Sequence, residues 1–106
     1  MLRFIKKLFT GKPKADIHLL VEQGALIVDV RTPREYNEGH IQGSLNYPLD
    51  TLKGHIAALK SKSKPVITVC RSGARSAVGQ SMLKNHGVEA YNGGAWIKLA
   101  SAIRKP

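Results

Sequence analysis

The only cysteine of the chain, Cys70, stands where an apolar run stops. In VITVCRSGARSAVG, residues 66–79, the β-branched stretch Val66 to Val69 leads into it. Arg71, Ser72, Gly73, Ala74, Arg75 and Ser76 follow before a helical pattern begins. A thiol reacts as its thiolate, which nearby cations and a helix N-terminus favour. A strand ending at Cys70 and a helix beginning near Arg75 supply both, because the first turn of a helix leaves its N–H donors unpaired. Such a ring of donors is a cradle for an anion. Gly73 suits a turn that needs unusual dihedrals or close approach. Ser72, Ala74 and Ser76 keep the rim open, and the serines add hydroxyls. Val69, not a histidine, precedes Cys70. The expected activation is therefore electrostatic, by Arg71, Arg75 and the helix dipole, rather than by a Cys–His pair. The same spacing also fits a small core cysteine at a strand end; the strand–loop–helix setting favours the nucleophile.

The elements that position this loop follow from periodicity and turn chemistry. Asp16 can cap a short helix with Ile17, Leu20 and Val21 on one face and Gly24 as its stop. Leu26 to Val30 is a continuous apolar run, interrupted only by Asp29, that reads as a strand covered on both faces. Thr32 and Pro33 open a helical turn that Gly39 and His40 close. Ser44 to Tyr47 reads as a short strand ended by Pro48. Asp50 or Thr51 can cap a helix that buries Leu52, Ile56 and Leu59. Val66 to Val69 is the next strand, and Ser76 to His86 a helix that buries Val78, Met82 and Leu83, with Gly87 as its stop. Val88 to Tyr91 reads as a last strand, Asn92-Gly93-Gly94 as a tight turn, and Ala95 to Ile103 as a terminal helix. Strands alternating with helices predict an α/β domain with a parallel sheet and helices on both faces. In such sheets ligands bind at the carboxyl ends of the strands, where Cys70 lies.

The 106 residues suffice for one domain with one core, expected over 15–106. One cysteine excludes an internal disulfide, and His18, His40, His55 and His86 are scattered, so no metal is expected. A lone free thiol fits a reducing, cytoplasmic setting. The net charge of +10 favours anionic partners. Half of it comes from Arg3, Lys6, Lys7, Lys12 and Lys14, which precede the first acid, Asp16. This block lacks the interleaved aromatics of a single-strand binder, and no nucleic-acid partner is expected. Residues 1–14 read as a basic amphipathic tail, too short and too charged to span a bilayer. The expected roles are a frayed tail or a first helix laid on the domain, or a weak peripheral membrane contact.

CRSGARS after the VITV strand resembles the active-site loop of rhodanese-like sulfurtransferases. DVRTPREYNEGHIQGSLNYPL, residues 29–49, is similar to that family's other hallmark. The resemblance implies a five-stranded, mostly parallel α/β domain of the short, single-domain thiosulfate sulfurtransferase kind, without a cofactor. It implies that Cys70 takes a sulfane sulfur from a small anionic donor such as thiosulfate and holds it as a persulfide. A thiol or cyanide, or an acceptor protein, then removes it. By position, the amides of Arg71 to Ser76 would cradle the outer sulfur, and Arg71 and Arg75 would hold the sulfonate. Asp29 and His40 would be scaffold. Asp29 would accept hydrogen bonds from backbone or Arg34, and His40 would be a partly buried hydrogen-bonded linker. Arg31 either adds charge near the site or pairs at the surface with Glu35 or Glu38. One departure is that Trp96 comes two residues earlier after Gly93-Gly94 than the family pattern places it. A monomer is expected.

Two other functions fit the loop less well. Cdc25-type phosphatases, and with them arsenate reductase chemistry, use five residues between cysteine and arginine; here four separate Cys70 from Arg75. A shorter loop makes a smaller cradle, suited to a single sulfur atom rather than a tetrahedral phosphate. A non-enzymatic persulfide carrier, delivering sulfur to a partner protein, would use the same residues.

Overall fold

The computed structural model describes residues 16–104. The tail expected over 1–14 therefore lies outside the described residues. Asp16 caps α1 (Ile17–Glu22) by accepting a hydrogen bond from the Leu19 amide at 3.0 Å. Then follow β1 (Leu26–Asp29), α2 (Pro33–Glu38), β2 (Leu45–Asn46), a 3-10 segment (Leu49–His55) running into α3 (Ile56–Ser61), and β3 (Val66–Cys70). After these come α4 (Ala74–Asn85), β4 (Ala90–Ala95) and α5 (Trp96–Arg104). All neighbouring strands pair in parallel, in the order β2-β1-β3-β4. The described residues thus hold four strands, where the resemblance implied five. Each corresponds to one of the four extended runs that follow Asp16 in the sequence.

Every residue of β3 is buried, as befits the centre of a sheet covered on both faces. Its side chains alternate between two cores. Val66 and Cys70 face Val28, Val30, Leu52, Ile56, Leu59 and Leu83, so the 3-10 segment, α3 and α4 cover that side. Ile67 and Val69 face Ile27, Ile41 and Leu99, with α1 and α5 closing the other side. Neither Asp50 nor Thr51 caps the segment after Pro48, which begins as a 3-10 turn without a side-chain cap. Leu52, Ile56 and Leu59 are nonetheless buried as the spacing predicts. No helix of the described residues is long and apolar enough to cross a membrane.

Two expectations about packing fail for steric reasons. Val78 is 51% exposed. Leu83 is buried as expected and Met82 is partly buried against the core, but Ser76 and Gly79, not Val78, complete the inward face of α4. An added Cβ at Gly79 would already touch Leu52 and Val30 at 3.4 Å, so the bare backbone is what lets α4 lie close to the sheet. Asn92-Gly93-Gly94 is not a turn but the body of β4. The register shifts there: Thr68 pairs with Asn92 and Val69 with Gly94, leaving Gly93 as the extra residue of a bulge. A Cβ at Gly93 would stand 2.6 Å from Ile67 Cγ2 and 3.0 Å from the Thr68 carbonyl oxygen. Only glycine fits that close approach to β3. Gly93→Ala is therefore expected to lower stability by about 1–3 kcal/mol. The loss should appear as a lower urea midpoint with an unchanged denaturant slope.

Candidate active site

β3 carries Cys70 to the last rung of the ladder, opposite Ala95. The chain then turns through Arg71, Ser72 and Gly73 into α4. Gly73 has φ +108°, a left-handed conformation that a side chain would strain. The turn aims the first donors of α4 at the sulfur. The Gly73 amide donates to Cys70 Sγ at 3.0 Å and the Ser76 amide at 3.3 Å. The thiol itself lies 3.3 Å from Ser76 Oγ, to which it donates.

Cys70 is fully buried. Burial resists ionisation of its thiol. Hydrogen bonds from the amides of Ser76, Gly73 and Ser72 act against that resistance, and the thiol is held below its ordinary value of 9.0. Local hydrogen bonding leads the activation, so the arginines do not take the lead expected of them, although the Arg75 charge still acts on Cys70. Arg75 is held in an ion pair. Its two terminal nitrogens donate to Glu35 Oε1 at 2.8 Å and Oε2 at 3.0 Å. Glu35 also closes the capping box of α2 with Thr32. Arg71 is exposed, and among the described residues its guanidinium has no ion-pair partner. It lines a groove of roughly 270 Å³ with Arg31, Glu35, Glu38, Gly39, Trp96 and Ile97. Ser72 and Ala74 are exposed on the rim, whereas Ser76 is buried.

The other residues singled out by sequence form a support beside the loop. Asp29 and Arg31 are a buried ion pair: Arg31 Nη2 donates to Asp29 Oδ2 at 2.7 Å and Nε to Oδ1 at 2.9 Å. Arg31 also donates to the carbonyls of Glu35 and Gly39, at 3.2 and 2.7 Å. Asp29 also accepts from the Arg31 backbone amide at 3.1 Å, the backbone alternative of the two expected; Arg34 is not its partner, and of the two readings of Arg31 the surface pairing with Glu35 or Glu38 does not occur. The short stretch after β1 folds the guanidinium back onto the carboxylate two residues earlier. Trp96 covers this pair, with the Arg31 guanidinium 4.7 Å from its ring centre. It also lies against Gly39, where an added Cβ would be 3.1 Å from the indole. His40 is exposed rather than partly buried. It stacks on Tyr36 at 3.7 Å, and its Nδ1 is 2.7 Å from the Tyr36 carbonyl oxygen. No cluster of three or more His, Cys, Asp or Glu converges among the described residues.

Sequence reading missed two residues of this site. Glu35 was legible as the fourth member of the Thr32-x-x-Glu35 capping box, but its reach to Arg75, 40 positions on, was not. Asn92 gave no signal beyond preceding two glycines. Its Oδ1 accepts from Ser76 Oγ at 2.6 Å and from the Gly94 amide at 2.9 Å, and its Nδ2 donates to the Gly73 carbonyl at 3.2 Å.

Comparison with known proteins identifies the family. Residues 14–95 match the rhodanese-like domain. The chain belongs to the rhodanese-like family. This rhodanese-like domain is 34% identical over 85 residues to thiosulfate sulfurtransferase GlpE of Stutzerimonas stutzeri, covering 79% of this chain and 77% of that protein. It is 36% identical over 61 residues to thiosulfate sulfurtransferase PspE of Escherichia coli, covering 57% and 59%. The solved structure of a rhodanese with anions from E. coli superposes with a TM-score of 0.64 at 32% identity, over 70% of this chain and 89% of that one. Some relatives are much longer: the chain spans 14% of a tRNA sulfurtransferase of Thermoplasma acidophilum.

The Glu35–Arg75 pair makes the rhodanese-like loop sensitive to acid. The Arg75 guanidinium, with help from the Thr32 amide, lowers the Glu35 carboxyl from 4.5 to about 2. Its folded value lies below its unfolded one. The stabilisation is therefore complete above about pH 4.5 and is lost as pH falls towards about 2. Glu35→Gln should cost about 1 kcal/mol at pH 7 and far less at pH 2, compared by urea unfolding at the two pH values.

Proposed function

We propose that the chain is a sulfurtransferase that moves a sulfane sulfur from thiosulfate or a similar small anion to a thiophilic acceptor. Cys70 carries the sulfur between them as a persulfide, in a reducing compartment. The observation that carries this reading is the convergence of the Gly73 and Ser76 amides on Cys70 Sγ, at 3.0 and 3.3 Å, at the end of the central strand. These donors stabilise a thiolate now. They stand where negative charge develops on a sulfur during transfer.

In the first step the Cys70 thiolate attacks the outer sulfur of thiosulfate. The new bond is Cys70 S–S, the sulfur–sulfur bond of thiosulfate breaks, and its electron pair leaves with sulfite. In the second step the acceptor attacks the outer sulfur of the persulfide. With cyanide the products are thiocyanate and the restored Cys70 thiolate. Electrons balance within each step, and no further oxidant or reductant enters. Arg71 is the cation available to the sulfonate, since Arg75 is engaged by Glu35 and Arg31 by Asp29.

Mass spectrometry after thiosulfate treatment is expected to show a gain of one sulfur, removed by cyanide and absent in Cys70→Ala. No gain with any sulfane donor would overturn the reading. A persulfide that forms but turns over negligibly with cyanide would instead favour a carrier that hands sulfur to another protein. Hydrolysis of an aryl phosphate that Cys70→Ser abolishes would favour a phosphatase. In the thiocyanate assay, Arg71→Ala should raise KM for thiosulfate about tenfold, the scale of one lost hydrogen bond to a charged group. Arg75→Ala should raise it less.

A further inference from the structure

The Ser76 hydroxyl has one proton and three acceptors within reach. Asn92 Oδ1 is at 2.6 Å, the Gly73 carbonyl at 3.1 Å and Cys70 Sγ at 3.3 Å. The Asn92 amide cannot turn round to offer its nitrogen instead. The Gly94 N–H needs an acceptor where Oδ1 stands, and the Gly73 carbonyl needs a donor where Nδ2 stands. Ser76 must therefore donate to Asn92, by the shortest of the three contacts. What it turns towards Cys70 is a lone pair. A lone pair accepts from a thiol and repels a thiolate, whereas a hydroxyl proton would do the reverse.

We propose that Asn92 is a positioning residue that holds the Ser76 hydroxyl proton away from Cys70 and thereby keeps the thiol from becoming more acidic. The consequence for sulfur transfer rests on the sulfurtransferase reading. A more acidic thiolate is a weaker nucleophile and a better leaving group. Cys70 is the nucleophile when sulfur is taken up and the leaving group when it is given away. Asn92 then sets the balance between the two half-reactions without touching either substrate.

The charged groups around the loop do not offer another route for this effect. Arg75 is paired with Glu35, and Arg31 with Asp29. Arg71 is on the rim, Asp50 of the 3-10 segment lines a groove with Arg75, and β4 has no titratable side chain from Asn92 to Ala95. None of these groups is bonded to the Asn92 side chain.

The test is the pH profile of Cys70 alkylation by iodoacetamide, which requires no sulfur transfer and so reads the proposal even if the proposed activity is absent. Asn92→Ala, or the closer-shaped Asn92→Leu, frees the Ser76 proton for the sulfur. The thiol pKa should fall by about one unit, the scale of a hydrogen bond to a charged group. In a Ser76→Ala background the same change should have no effect. A purely structural role gives the opposite sign, because a loosened loop loses its amide bonds to the sulfur and the pKa rises. A rise or no change would overturn the proposal. Ser76→Ala alone gives an independent reading: the pKa stays or falls, and a rise of a unit would mean that the hydroxyl already donates to the thiolate, which also overturns it. If sulfur transfer is observed, Asn92→Ala should slow uptake from thiosulfate roughly threefold at a pH where both thiols are ionised, and should speed release to cyanide by a similar factor. Equal slowing of both steps would sink the functional half.

Discussion

Three residues separate the end of the central strand from the helix that follows it, and that short turn governs the candidate site. Cys70 occupies the last rung of β3, and α4 begins at Ala74. Within that span the chain must reverse so that the unpaired donors of the helix face back towards the strand. The left-handed Gly73 makes the reversal possible. The result is a sulfur capped by its own loop, at the focus of amides that cost nothing to reorganise when charge appears. The sheet supports this from beneath. Thr68, two residues before Cys70 and fully buried, donates to the Ser76 carbonyl at 2.7 Å, which fixes the first turn of α4 to β3.

The three guanidiniums around the loop are engaged differently. Arg31 is spent inside the fold, where it satisfies Asp29 and two carbonyls and supports Trp96. A buried ion pair of this kind is strongly destabilising to break, because the remaining partner is left charged and dry. It ties the end of β1 to α2 and to the start of α5. Arg75 is held half-exposed by Glu35. Arg71 is exposed and, among the described residues, has no ion-pair partner. The net charge of +10 therefore says little about the site, whose character depends on which guanidiniums already have partners.

Much of the architecture was legible before any coordinates. The apolar runs around Val28 and Ile67 carry the signature of covered strands, and the Thr32-Pro33 start of α2 and the Gly87 stop after α4 follow from local dihedral and capping preferences. The errors cluster where contact with another element overrides local rules. Asn92-Gly93-Gly94 carries a turn signature, yet the close approach of β3 makes it a bulged strand. Val78 looks like a core residue, yet Gly79 beside it faces the sheet because a helix can come closest where it has no side chain.

The sequence by itself determined the order of the elements, the parallel α/β class and the place of Cys70 between strand and helix. Each of these depends on residues close together in the chain. Only the tertiary structure decided where the Ser76 hydroxyl proton points and which of the loop's arginines is paired. Glu35 meets Arg75 and Asn92 meets Ser76 across 40 and 16 positions, and such pairings exist only once the sheet has brought β1, β3 and β4 side by side. No local rule foretells them, because hydrogen bonds act over about 3 Å of space and take no account of distance along the chain.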